Sequence, residues 1–316
     1  MQSISRRGFV ISAAAAGAAF GLDGPLDFGR KAFAQAPSGP EIVKFKLGDL
    51  EVIQLYDGVW EKAHDEKFIR NATLDETKAA LKAGGLTDAH VPITFTITAV
   101  RTPGGVVLFD AGTGAQLAPT AGNITKNNLW KEAGLDPASV TNIVITHFHG
   151  DHISGLMAKD TNEPIFPNAQ IHVPASEYKF WTTPTVTAGA AKRIQAVFPG
   201  WKNIRQFEGE VEVLPGVRAI STPGHTPGHT SYHMASGNQQ LIVLGDLTNI
   251  RALNLTNPGW HLAFDADPNV AEAGRRKMFD RAVAEGITLT GYHWGMPGAG
   301  KVTKQGNGYG FEPVKA

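Results

Sequence analysis

The sequence predicts an α/β fold in which two mixed sheets are flanked by outer helices, an αββα order of layers. Three observations carry the expectation. Two hairpin patterns come early, strand–helix alternation follows in both halves of the chain, and no linker rich in Pro or Ser divides residues 35–316. The chain has 316 residues, 42% of them hydrophobic, enough for one large core or two small ones.

The elements follow in order. Ile42–Leu47 and Leu50–Tyr56 alternate about Gly48-Asp49, a two-residue hairpin signal. Pro92–Val100 and Val106–Phe109 pair in the same way about Pro103-Gly104-Gly105. Asn142–Thr146 reads as a short buried strand. Ala169–Val173, Val217–Ser221, Ser231–Met234 and Gln240–Leu244 follow, and Ile287–Thr290 is expected to be the last strand. Helical periodicity falls at Leu74–Ala83, Ile124–Ala133, Ala188–Phe198 and Asn269–Glu285. In the last of these, Val270, Ala273, Met278, Phe279, Ala284 and the stem of Lys277 are expected to share the buried face.

Composition narrows the partners. With 29 basic and 29 acidic residues there is no basic excess to meet a nucleic acid, so the expected partner is a small-molecule substrate. Cysteine is absent, so any metal site must use His, Asp or Glu.

Ser5-Arg6-Arg7-Gly8-Phe9-Val10 is a twin-arginine pattern, followed by an Ala-rich apolar stretch from Gly8 to Leu22 and by Ala32-Phe33-Ala34 at signal-peptidase spacing. Residues 1–34 are therefore read as a cleaved twin-arginine signal peptide and residues 35–316 as a single domain. The apolar stretch falls short of the roughly 20 residues of a spanning helix, which argues against a stable membrane anchor. The expected partner of the precursor is the twin-arginine export machinery, and the expected location is periplasmic or secreted.

The densest chemical signal is ITHFHGDHISG, Ile145–Gly155, which places three histidines and an aspartate within six residues at a strand end. Imidazole and carboxylate suit zinc and related divalent ions. Four such groups so close in sequence cannot all reach one tetrahedral ion without strain. They can serve two: His147 and His149 one, Asp151 and His152 the other. Further candidates sit at later strand ends: His225 and His229 in STPGHTPGH, Asp246 in IVLGDLTN, and His293 in TLTGYHWG.

This set, His-x-His-x-Asp-His followed by His, Asp and His, resembles the metallo-β-lactamase superfamily, whose fold is an αββα sandwich. The segments GDLEVIQLYDG, FPNAQIHVPASEYKFW, GHTPGHTSY, LGDL and PGAGKVTKQGNGYGFEPV look most like its methyl parathion hydrolase group. The resemblance implies that His147, His149 and His225 hold one metal, that Asp151, His152 and His293 hold a second, and that Asp246 bridges them. Asp110 in VVLFDAGTG would fix the ligand loop from behind. His229 would pack and hydrogen-bond instead of ligating. The implied cofactor is two divalent ions per chain, zinc first, with Mn, Co or Fe permitted. The implied activity is metal-dependent hydrolysis, in which a metal-bridging hydroxide cleaves aryl lactones or esters and Asp151 is the proton acceptor. The alternative substrate is a phosphotriester of the methyl parathion type.

Two readings stand behind these. Acyl-homoserine lactonases of the superfamily usually carry a Tyr shortly after the bridging Asp, where this chain has Leu247-Thr248-Asn249. A non-catalytic metal-binding protein is disfavoured because a structural site usually closes four ligands around one ion. Phe148, Trp181 and Trp294 are expected to wall the substrate pocket. Relatives of this kind often form homodimers.

Overall fold

The structure, a computed structural model, describes residues 39–315; the signal-peptide expectation at residues 1–34 lies outside them. Two seven-stranded sheets form, each from one continuous half of the chain. The first contains β1 (Ile42–Leu47), β2 (Leu50–Lys62), β3 (Val91–Thr102), β4 (Gly105–Phe109), β5 (Val140–Val144), β6 (Gln170–Pro174) and β7 (Ile204–Phe207), side by side in chain order. β1 to β4 pair antiparallel, and β4 to β7 pair parallel. The second contains β8 (Glu212–Leu214), β9 (Val217–Ser221), β10 (Thr230–Ser236), β11 (Gln239–Val243), β12 (Thr288–Thr290), β13 (Ala299–Gln305) and β14 (Gly308–Pro313), again in chain order. Its β11–β12 pair is parallel and the others are antiparallel.

The two-residue periodicity of the strands sorts side chains into layers. Along β4, Val107 and Phe109 point between the sheets while Val106 and Leu108 point to the outer face. The layer between the sheets joins Val52, Val100, Val107, Phe109 and Val144 of the first to Val217, Tyr232, Met234, Leu241 and Val243 of the second. Each fully buried side chain of this size contributes about 1.5–3 kcal/mol. At the β1–β2 turn Gly48 has φ +57°, and a Cβ there would lie 2.5 Å from the Ser236 carbonyl oxygen, so the turn needs glycine twice over.

The helices cover the outer faces. α1 (Leu74–Ala83) matches its expected bounds and opens on a capping box, Thr73 with Glu76. The helix expected over Ile124–Ala133 is instead two turns, α2 (Asn123–Lys126) and α3 (Leu129–Glu132), because Asn128 between them is left-handed at φ +53°. α4 (Gly150–Ile153) lies within the ligand motif, α5 (Ala175–Thr182) was not anticipated, and α6 (Ala191–Val197) is shorter than expected. α7 (Arg251–Asn254) and α8 (Pro268–Glu285) complete the set.

The buried face of α8 differs from the expected one. Ala271, Arg275, Met278, Phe279 and Ala282 point inward, while Val270, Ala273, Lys277 and Ala284 are exposed. A charged residue takes a core position because acceptors surround it: Arg275 donates to the carbonyls of Leu247, Pro258 and Trp260 and to Asp265. Ile287–Thr290 is not the last strand either, since β13 and β14 add an edge hairpin beyond it. Among the described residues no helix is long and apolar enough to cross a membrane.

Candidate metal centre

The predicted ligands come together at strand ends between the two sheets. β4 and β5 are parallel neighbours, so Asp110, just after β4, lies beside Thr146 beyond the end of β5. Asp110 accepts hydrogen bonds from the Thr146 backbone N–H at 2.7 Å, from Thr146 Oγ1 at 2.8 Å and from His152 Nδ1 at 2.8 Å. Since the Thr146 hydroxyl spends its proton on Asp110, its oxygen accepts from His147 Nδ1 at 3.0 Å. His225 Nδ1 donates to Asp265 Oδ1 at 3.0 Å, and His293 Nδ1 donates to the Thr94 carbonyl at 2.7 Å.

Four histidines thus commit Nδ1–H outward and aim Nε2 inward, the orientation a metal ligand needs. His149 turns Nδ1 inward instead, 2.9 Å from both His147 Nε2 and His225 Nε2. A tetrahedral ion with bonds of about 2.0–2.1 Å needs ligand nitrogens roughly 3.3 Å apart, close to this spacing.

Asp151 Oδ2 lies 3.4 Å from His152 Nε2 and 3.5 Å from His293 Nε2. Asp246 stands between the groups. Its Oδ1 is 3.2 Å from His152 Nε2, and its Oδ2 is 3.3 Å from His225 Nε2 and 3.0 Å from His293 Nε2. Two clusters result, His147/His149/His225/Asp246 and Asp151/His152/His293, each with ligand atoms within 4.8 Å of one another. His152 Nε2 and Asp246 Oδ1 are buried without a hydrogen-bond partner. Such atoms cost about 1–3 kcal/mol each when left unmet, and a divalent cation would satisfy both. The donor set, nitrogen and carboxylate oxygen only, fits a binuclear divalent site.

The electrostatics divide the histidines. Burial opposes charge on His152 and His293, but the carboxylates of Asp151 and Asp246, with Asp110 for His152, outweigh it and push both above the usual histidine range. Burial, reinforced by neighbouring imidazoles, holds His147 and His149 well below the usual histidine range, so both are neutral and ready to ligate. Burial alone would raise Asp246, but the charges of His293, His152 and His225 outweigh it and hold the carboxylate well below its ordinary range. His229 is brought down to about 3 by burial and the nearby His225. It is therefore a neutral acceptor, and its Nε2 receives the Asp246 backbone N–H at 2.9 Å, which fixes the bridging residue without ligating.

Three supporting residues had no sequence signal. Glu177, fully buried on α5, accepts from the Phe148 N–H at 2.9 Å, Trp181 Nε1 at 2.6 Å, Thr226 Oγ1 at 2.8 Å and the Gly228 N–H at 2.9 Å. One carboxylate thus ties the loop of His147 and His149 to the loop of His225. Gly228 must be glycine, since a Cβ there would lie 2.3 Å from the Glu177 nitrogen. Asp265, with Arg275 behind it, orients His225.

A cavity of about 350 Å³ opens onto His149, Asp151, Asp246 and His293. Trp60, Ile93, Phe95, Leu117, Trp181 and Phe264 form its apolar wall. Trp181 lies there as expected, its ring edge-on to His149 at 5.7 Å. Phe148 and Trp294 do not line this cavity. Phe148 is fully buried against Tyr178 and Phe198, and Trp294 packs on Phe311 with its N–H given to Thr248. Adjacent side chains on extended backbone point to opposite sides, so His147 and His149 facing the centre send Phe148 away from it.

A two-sheet sandwich with paired His/Asp clusters at its strand ends defines a class of metal-dependent hydrolases. The chain belongs to the metallo-beta-lactamase superfamily, whose family model matches residues 96–282. It is 28% identical over 150 residues to an N-acyl homoserine lactonase from a Bacillus species, a stretch covering 48% of this chain and 55% of that protein. The chain thus matches about half the length of that curated relative. Among solved structures it resembles the dizinc quorum-quenching lactonase AidC in complex with a product N-hexanoyl-L-homoserine. That likeness has a TM-score of 0.78 at 25% identity and covers 87% of this chain and 98% of that one. The fold also matches AbOPH, a hydrolase in the beta lactamase superfamily, with a TM-score of 0.79 at 23% identity over 90% and 99% of the two chains.

Proposed function

We propose that this protein is a binuclear metal-dependent hydrolase of lactones and aryl esters. The observation that carries the reading is an aromatic-walled cavity that opens onto members of both His/Asp clusters, His149 and Asp246 of one and Asp151 and His293 of the other. When bound, two divalent ions supply Lewis acidity and an ionised water at neutral pH. The remaining work falls to the chain. Trp60, Phe95 and Trp181 hold an apolar ring or acyl chain and keep bulk water out. Asp151, at the cavity floor, holds the proton released as oxygen adds to the acyl carbon and returns it to the departing oxygen.

The names of the relatives favour lactones within this class, N-acyl homoserine lactones among them. That raises a substrate the sequence had placed lower. The likeness to methyl parathion hydrolases keeps phosphotriesters as the second reading. Measured kcat/KM for dihydrocoumarin, an aryl acetate, a long-chain homoserine lactone and a dimethyl aryl phosphotriester should rank a lactone at least about tenfold above the phosphotriester. A phosphotriester ahead by that margin would reverse the ranking.

Export is proposed on Arg6 and Arg7. Changing both to Lys should strand the precursor in the cytoplasm, read by fractionation and immunoblot. A Lys-Lys variant that still leaves the cytoplasm would show the address to be misread.

A further inference from the structure

We infer that Asn249 donates its side-chain amide N–H to the acyl oxygen of the substrate. The inference rests on the acyl-hydrolase reading and names a residue that reading does not use. Asn249 lines the cavity beside Asp246 and His293 and is 4% exposed. Its backbone N–H is held by Asn254 Oδ1 at 2.8 Å, which fixes the residue in place after the turn that carries Asp246. Its side chain is barely used. Nδ2 makes one loose contact, 3.4 Å to Asp246 Oδ2, and Oδ1 is buried with no partner. The carboxylate sets the orientation of the amide, since it attracts the NH₂ group and repels the carbonyl oxygen.

A buried carboxamide with so little bonding is costly to keep for packing alone. One N–H beside the bridging carboxylate is free to meet an oxygen that enters the cavity. Three neighbouring donors are already committed. Tyr292 gives its hydroxyl to the Asp151 carbonyl at 2.6 Å, and Trp181 gives its N–H to Glu177. The Arg193 guanidinium is spread over Asn162, Gln116 and the Ala158 carbonyl.

The chemistry balances without a proton from Asn249. As the attacking oxygen bonds to the acyl carbon, the carbonyl π pair moves onto the acyl oxygen, where the amide N–H stabilises it. When that pair returns, the bond to the departing oxygen breaks. The departing oxygen keeps the bonding pair and is then protonated. An amide does not ionise in the working pH range, so Asn249 acts as a fixed dipole aimed at developing charge.

The test compares wild type with Asn249→Leu, close in volume but without a donor, and with Asn249→His, which returns an N–H. Phenyl acetate, p-nitrophenyl acetate and dihydrocoumarin are the substrates. Asn249→Leu should lower kcat about 100-fold with KM changed less than about threefold, an unmoved pH–rate profile, unchanged metal content and unchanged Tm. The loss should be equal for the two acetates, because the acyl oxygen is common to both. Asn249→His should recover at least about tenfold of it. The inference is overturned if Asn249→Leu keeps kcat within about twofold of wild type. It is also overturned if the loss is confined to phenyl acetate, which would place the donor on the departing oxygen, or if the loss follows metal content. A wild-type protein inactive on all three substrates would overturn the acyl-hydrolase reading itself, a result distinct from an active wild type with an unimpaired leucine variant.

Discussion

Asp246→Ala should abolish hydrolysis, lowering kcat/KM by at least about 10³-fold, with metal content falling from two ions per chain to one or none. Among the described residues Asp246 is the one carboxylate within about 3.3 Å of ligand nitrogens from both clusters. Without it the first cluster keeps three imidazoles and loses its anion, while the second loses the oxygen facing His152. Elemental analysis of the purified variant, paired with lactone and aryl-ester assays, reads both effects. Chelation of the wild type should reproduce the loss, and added zinc should reverse it. Full activity in a protein stripped to one ion or none would end the binuclear proposal.

Glu177→Ala should destabilise the fold by about 3–5 kcal/mol. It removes the acceptor from four donors at once. Two of these are backbone N–H groups, of Phe148 and Gly228, in loops that cannot turn to water. Burial raises the Glu177 pKa, and the four donors oppose that shift, so the carboxylate depends on them as they depend on it. For a domain of this size the change corresponds to a fall in Tm of roughly 10 °C, measurable by calorimetry on the metal-loaded protein. Glu177→Gln should fall between, since it keeps an acceptor on one side of the fork and offers a donor on the other. An alanine variant that melts within about 2 °C of wild type would show that the two ligand loops hold their positions without this tie.

Much of the fold was legible because it obeys local rules. α1 was readable from its periodicity, and β1 and β9 from alternation beside glycine turns. What escaped broke those rules. β13 and β14 lie in PGAGKVTKQGNGYGFEPV, where glycines and charges mask an edge hairpin. α5 opens directly after Pro174, and three of the four groups that bond to its Glu177 are distant in sequence. The α8 face was misjudged because hydropathy does not foresee an arginine whose partners are three carbonyls and Asp265.

The candidate centre divides in the same way. All seven proposed ligands converge, since donor type and strand-end position are written in the sequence. The groups that orient them from behind were visible only in part. Asp110 is reached through the family resemblance, which has an aspartate at the end of this strand; Asp265 and Glu177 are ordinary residues made special by long-range contact. Being next to a ligand fixes where the backbone passes and not where the neighbouring side chain points. Extended backbone between His147 and His149 sends Phe148 the other way, while Trp294, in the turn after His293, packs on Phe311.

The order of strands bears on how the molecule is assembled. In both sheets every strand pairs with its neighbour in sequence, so each half can close its own backbone ladder without a strand from the other, with helix-bearing crossovers joining the parallel pairs. The first half, emerging earlier during synthesis, can pair its strands before the second exists. It carries His147, His149, Asp151 and His152, whereas His225, Asp246 and His293 arrive with the other half. Neither half alone holds the full complement of either cluster. Each ligand set is therefore complete only once the two sheets have met in register, so capture of an ion by either full set would follow that docking.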